Sequence, residues 1–130
     1  MSYIPKYILK RMFADDAVKL VEGGIEITMT NVISPLSVDE VPDDVENYLE
    51  GTVDGKSIDT EDKKKFKIKF GGMEFNIKNA KEFAGKVIPV GEKVTVFLPF
   101  TGINKGEEHE FGILIKTEHP FELTIKRIVH

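Results

Sequence analysis

Apolar and polar residues alternate most clearly at residues 65–77, Lys-Phe-Lys-Ile-Lys-Phe-Gly-Gly-Met-Glu-Phe-Asn-Ile. Phe66, Ile68 and Phe70 alternate with Lys65, Lys67 and Lys69, and Met73, Phe75 and Ile77 with Glu74 and Asn76. Side chains alternate faces along a strand. A two-residue Gly71-Gly72 turn therefore predicts a hairpin with Phe70 opposite Met73, Ile68 opposite Phe75 and Phe66 opposite Ile77. The apolar side chains share one face, and Lys69 meets Glu74 on the other.

The rest of the chain reads in the same way. Residues 3–13 predict a short helix: Ile4, Ile8 and Met12 fall at i, i+4, i+8, Leu9 and Phe13 lie beside them, and Pro5 suits the first turn. Ala17 to Val21 fits a second short helix or an entry strand. Ile25, Ile27 and Met29 alternate with Glu26, Thr28 and Thr30, the pattern of a half-buried strand. Asn31 to Pro35 turns the chain, and Leu36 and Val38 begin another extended piece. Pro42-Asp43-Asp44 opens a helical turn with Val45 and Leu49 on its apolar side. Asp54-Gly55 signals a tight hairpin. Asn79-Ala80-Lys81-Glu82 matches a capping box, and Gly85 would stop that helix.

The last part, from Gly91 onward, predicts a three-stranded meander. Val94, Val96, Leu98 and Phe100 mark one strand, Phe111, Ile113 and Ile115 the next, and Phe121, Leu123 and Ile125 the last, with a turn at Glu118-His119-Pro120. Roughly seven to nine strands with regular turn signals predict a mainly β fold. The expected form is an antiparallel β-sandwich of immunoglobulin-like architecture, or else a small partly open barrel. A short N-terminal α-helix and one or two helical turns complete it. One domain spans 1–130, with a helical segment at 1–22 and the β core at 25–130.

Composition narrows the function classes. A chain of 130 residues can bury about two-thirds of its unfolded surface, enough for one core. Hydrophobic residues at 41% and charged residues at 31% mark an ordered, soluble chain with no membrane span. Residues 1–13 lack the apolar run of a secretory signal, so the expected location is cytoplasmic. A net charge of −4 argues against general nucleic-acid binding. With no cysteine, disulfides, thiol catalysis and thiolate metal sites are excluded. Richness in Lys and Glu with no Gln recurs in thermophile proteins.

Candidate chemistry is sparse. None of Ser2, Ser34, Ser37 and Ser57 stands in a nucleophile elbow, and no Gly-rich phosphate loop is present. A turn at 118–120 would bring His109 near residues 129 and 130. His109 and His130, with Glu107, Glu108 and Glu110, are then the candidate metal ligands. Surface histidines beside surface acids are the plainer account of the same residues. The acidic stretch Asp39, Glu40, Asp43, Asp44, Glu46 lacks the calcium-loop spacing and reads as a solvated helix start.

The lysine row Lys63, Lys64, Lys65, Lys67, Lys69 would suit a polyanion, but Phe66 and Phe70 point away from it. Lysines shielding a sheet edge explain the row better. Phe97, Leu114 and Ile128 are apolar on otherwise polar strand faces. They offer a landing site for Ile4, Ile8 and Met12 or for a partner subunit. The expectation is a non-catalytic module that binds a protein partner or forms a homodimer, with no cofactor. The alternative is a small-molecule or lipid binder with an apolar cavity, and a third reading is a metal enzyme on His109 and His130.

Overall fold

The structure is a computed structural model that describes residues 5–37, 41, 43–57, 64–115 and 121–130, except for the side chains of Glu46, Ile115 and Phe121. Among the described residues, one helix and eleven strands follow in chain order: α1 (Lys6–Met12), β1 (Val18–Val21), β2 (Gly24–Thr30), β3 (Leu36–Ser37), β4 (Leu49–Val53), β5 (Lys56–Ser57), β6 (Lys67–Phe70), β7 (Met73–Asn76), β8 (Val87–Ile88), β9 (Lys93–Leu98), β10 (Glu108–Ile115) and β11 (Phe121–Ile128). Short 3-10 helices lie at Val45–Tyr48 and Ala80–Phe83. Every strand pairing is antiparallel.

Two larger sheets carry the fold. A five-stranded sheet runs β1-β2-β9-β6-β7 and a four-stranded sheet runs β11-β10-β4-β5; β3 and β8 form a separate two-stranded ribbon. Neither large sheet closes into a barrel, and the architecture is that of a β-sandwich with a short N-terminal helix. The expected meander after Gly91 does not form. β9 inserts between β2 and β6, while β10 and β11 belong to the other sheet. Local alternation marks strands but not partners, and Thr101 to Glu107 is long enough to cross between layers.

Register follows the alternation. Ile25 and Ile27 stand opposite Leu98 and Val96, and Phe111 and Ile113 opposite Ile125 and Leu123. These inner faces share one core with Val18, Phe66, Ile103 and Val129. A smaller cluster of Phe70, Phe75, Ile88 and Val94 lies beside it, with Met29 and Val96 packed against both. Phe83 from the second 3-10 helix meets Phe70 and Phe75 edge-on, with ring centroids 5.3 and 4.8 Å away. Edge-to-face contact suits the ring quadrupoles.

The hairpin pairs Lys67–Phe70 with Met73–Asn76 in the expected register, Phe70 to Met73 and Ile68 to Phe75, but the pairing stops short of Phe66 and Ile77, and Phe66 joins the main core. Its place in the sheet differs from expectation. β6 lies inside the sheet between β9 and β7, so its lysines do not shield an edge. They serve the outer face instead. Lys69 reaches Glu26 on β2 at 3.2 Å, Lys67 lies 3.9 Å from Glu74, and Lys67 sits 5.6 Å from the Phe97 ring centre. Lys63 lies outside the described residues.

Other local expectations resolve in part. Val18–Val21 is the entry strand and not a second helix, because its inner residues Val18 and Leu20 stand opposite Ile27 and Ile25. The Asp54-Gly55 hairpin forms, with φ of 52° and 85° at its two turn residues. Both values belong to the primed turns that match strand twist. The capping box at Asn79 does not form: the Asn79 side chain makes no cap bond and turns back to β7.

The helix also lands elsewhere than expected. Met12 and Phe13 are buried in the main core, with Ile8 and Leu9 packed against it. Phe97 and Leu114 have the opposite parity, paired with Glu26 and with Glu50 and Glu122, so the helix is not seated on them. Arg127 fixes the helix exit by donating to the carbonyls of Phe13 at 2.8 Å and Ala14 at 3.2 Å. Ile4 lies outside the described residues.

Candidate functional site

His109 is the one histidine held in a built environment among the described residues. It stands on β10 two positions before buried Phe111, so the period of two aims it inward at the end of the sheet. Val53 pairs with Phe111, which carries the Asp54-Gly55 turn alongside His109. Asp54 Oδ2 then lies 2.6 Å from His109 Nδ1, and Asp54 Oδ1 accepts the Glu110 N–H at 2.9 Å. Glu107 Oε1 lies 3.2 Å from His109 Nε2 and accepts the Asn104 N–H at 2.9 Å. The ring also meets Phe111 edge-on at 6.2 Å.

The electrostatics follow from this geometry. Hydrogen bonding to Asp54, then to Glu107, raises the His109 pKa above its ordinary value. The Glu110 N–H, then His109, lowers that of Asp54, and the Asn104 N–H, then His109, lowers that of Glu107. Both ring nitrogens lie within hydrogen-bond distance of a carboxylate, which favours the protonated form of the ring. When protonated, the ring donates from both nitrogens and keeps no lone pair for a metal.

The metal candidates separate. The β10–β11 register sets His109 opposite Arg127, and not opposite residue 129 or 130. His130 lies against β1, its N–H donating to Val18 and its carbonyl accepting from Leu20. Glu108 stands opposite Ile128, and Glu110 contributes its backbone to Asp54. No group of three or more metal-ligating side chains is arranged around one point among the described residues. His119, Asp39 and Glu40 lie outside them. Sequence reasoning missed Asp54 as the partner of His109, because Asp-Gly explained itself as a turn. The β4–β10 pairing, a long-range fact, is what brings the two together.

Beside His109 a cleft of about 310 Å³ is lined by Val53, Pro99, Phe100 and Ile103 together with Asp54, Lys56 and Ser57. A second, of about 440 Å³, runs past Met73, Phe75, Asn79 and Lys86 along β7.

Exposed apolar surface concentrates in a different place. Ile33, Leu36, Val87 and Val90 are 56%, 44%, 52% and 54% exposed, and all belong to the β3–β8 ribbon and its flanking turns. This ribbon is anchored by buried Asn31. Its side-chain amide donates to the carbonyls of Ser34 at 2.8 Å and Ile88 at 3.0 Å, and its Oδ1 accepts the Ile33 N–H at 3.3 Å. Its backbone bonds Glu92 at 3.0 Å and Gly91 at 2.7 Å.

No helix among the described residues is long and apolar enough to cross a membrane. Comparison with known proteins finds no matching family model and no curated protein with a significant sequence match.

Proposed function

We propose that the chain is a non-catalytic protein-interaction module that uses the β3–β8 ribbon as its contact surface, toward a second copy or another protein. The observation that carries this reading is the apolar exposure of Ile33, Leu36, Val87 and Val90 on the β3–β8 ribbon and its flanking turns, with Leu36 on the face of buried Ile88 and Val87 on the other. Scattered surface apolar residues need no explanation, but a cluster of them marks an interaction site. Rigidity adds to the case. Asn31 fixes both ribbon strands to the body of the sheet, so little ordering entropy remains to be lost on contact.

Light scattering across micromolar to millimolar concentration, with Leu36→Lys and Val87→Lys as controls, tests the reading. The wild type is expected to associate, and the variants to stay monomeric with unchanged far-ultraviolet circular dichroism. A strict wild-type monomer whose ribbon variants also capture the same proteins from lysate, or none, overturns it.

A second reading, a small-molecule or lipid binder, is favoured by the cleft beside His109, where Val53, Pro99, Phe100 and Ile103 are among the lining residues. Its volume falls at the lower end of the ligand-pocket scale, about 300 Å³. Titration with fatty acid and aromatic fragments, followed at the Val53 and Ile103 methyl signals, tests it. Signals that stay unmoved at saturating fragment remove it.

A further inference from the structure

β7 is the outer strand of the five-stranded sheet, and its free edge is occupied by a side chain. Phe70 and Met73 close the two-residue Gly71-Gly72 turn. In such a hairpin the closing pair exchanges both hydrogen bonds, and the pattern then alternates. The peptide groups of Met73 and Phe75 thus turn toward β6, and those of Glu74 and Asn76 turn outward. Asn79 meets the outward groups. Its Oδ1 accepts the Asn76 N–H at 2.6 Å, and its Nδ2 donates to the Glu74 carbonyl at 3.3 Å. A primary amide carries the same donor and acceptor as a peptide group. One carboxamide therefore takes the two positions that a neighbouring strand would take.

The carboxamide is itself held in place. Asn76 Oδ1 accepts the N–H groups of Lys78 at 2.9 Å and Asn79 at 3.2 Å, which folds the chain back beside the strand it has just left. We propose that Asn79 is an edge stop that keeps β7 from pairing with β7 of a second copy of this chain.

The self-pairing it blocks is favourable on register. An antiparallel pair centred on Phe75 sets Glu74 opposite Asn76 of the second copy, and their outward N–H and C=O groups match. No two like charges face one another, which would otherwise oppose the pairing. On the apolar face Phe75 meets its own copy and Met73 meets Ile77. An exposed edge with these properties is a template for strand addition. This contact is separate from the β3–β8 ribbon, so either can fail without the other.

The test removes the stop and then blocks the edge by other means. Asn79→Ala is expected to raise self-association on the order of tenfold or more over wild type, read by light scattering. Adding Glu74→Pro removes an outward N–H and leaves the β6–β7 backbone hydrogen bonds in place, and should restore the wild-type state. Hydrogen exchange on wild type supplies an arm that does not depend on either variant folding. The Asn76 amide should be protected and the neighbouring Glu74 amide should exchange fast. A folded Asn79→Ala chain with wild-type association, or association above the wild-type level that survives Glu74→Pro, overturns the proposal. So does an unprotected Asn76 amide in wild type.

Discussion

Asn31 and His109 do the same mechanical job with different chemistry. Asn31 joins the segment 31–37 to the turn at 88–92, and His109 joins the Asp54-Gly55 turn to the loop at 104–107. Each ties together pieces far apart in the chain. Asn31 is buried, neutral and bonded to backbone carbonyls. His109 sits at the rim, titrates, and is bonded to carboxylates. A buried neutral amide holds its partners at any pH, and its loss leaves orphaned groups that water cannot reach. A charged clamp at the rim holds only where its members carry opposite charges, and solvent screens it. The ribbon thus rests on a permanent fastening, and the turn beside the cleft rests on a conditional one.

The largest expected effect comes from breaking the permanent fastening. Asn31→Ala strands the Ser34 and Ile88 carbonyls and should cost about 2–4 kcal/mol by denaturant unfolding. That loss should be the same from about pH 5 to pH 9, because no titrating group is involved. A loss that varied with pH would break the contrast with His109.

His109→Gln should give a smaller loss with a definite pH dependence. A raised folded pKa means the imidazolium stabilises fully below its ordinary value, near ~6.5, and the stabilisation fades as pH rises through the folded value. Lowered carboxylate values mean that Asp54 and Glu107 stabilise above about 4 and lose this as pH falls. The difference in Tm between wild type and variant should therefore be greatest between about pH 4.5 and 6.5 and shrink on either side. A constant difference would mean that the clamp acts by packing alone.

Asp54→Asn sharpens the same point. Asn tolerates the positive φ of the turn, so the hairpin should survive. The His109 pKa, followed by NMR titration, should fall toward its ordinary value, since its main partner has lost its charge. Smallest of all should be the effect of Leu36→Lys on stability, within about 0.5 kcal/mol, because the side chain packs little. Its effect should appear only in association.

The local elements were legible because their information is local. The 65–77 hairpin carries its register in its own alternation and turn, and Asp54-Gly55 carries its turn type. The helix at Lys6–Met12 was marked by its stripe, with Met12 facing the core. Partnership was not legible. Nothing in Val94–Phe100 says that it pairs with Ile25–Met29 and not with Phe111–Ile115, since all three present the same apolar alternation. The histidines show the same limit. An offset of two in the 109–127 register took His109 away from the last residues, and the β4–β10 pairing set it beside Asp54.

By itself, the sequence determined strand faces, turn positions, a mainly antiparallel β architecture and the lack of thiol chemistry. These depend on side-chain period, backbone angles and residue identity, which neighbours in the chain define. Tertiary structure alone decided that β6 is an inner strand, that β9 and β10 part company between sheets, and that His109 meets Asp54. It also decided that Asn79 bonds the edge of β7 and does not cap a helix. Those outcomes depend on which long-range pairing buries the most apolar surface without orphaning a peptide group, a competition that short stretches of chain do not record.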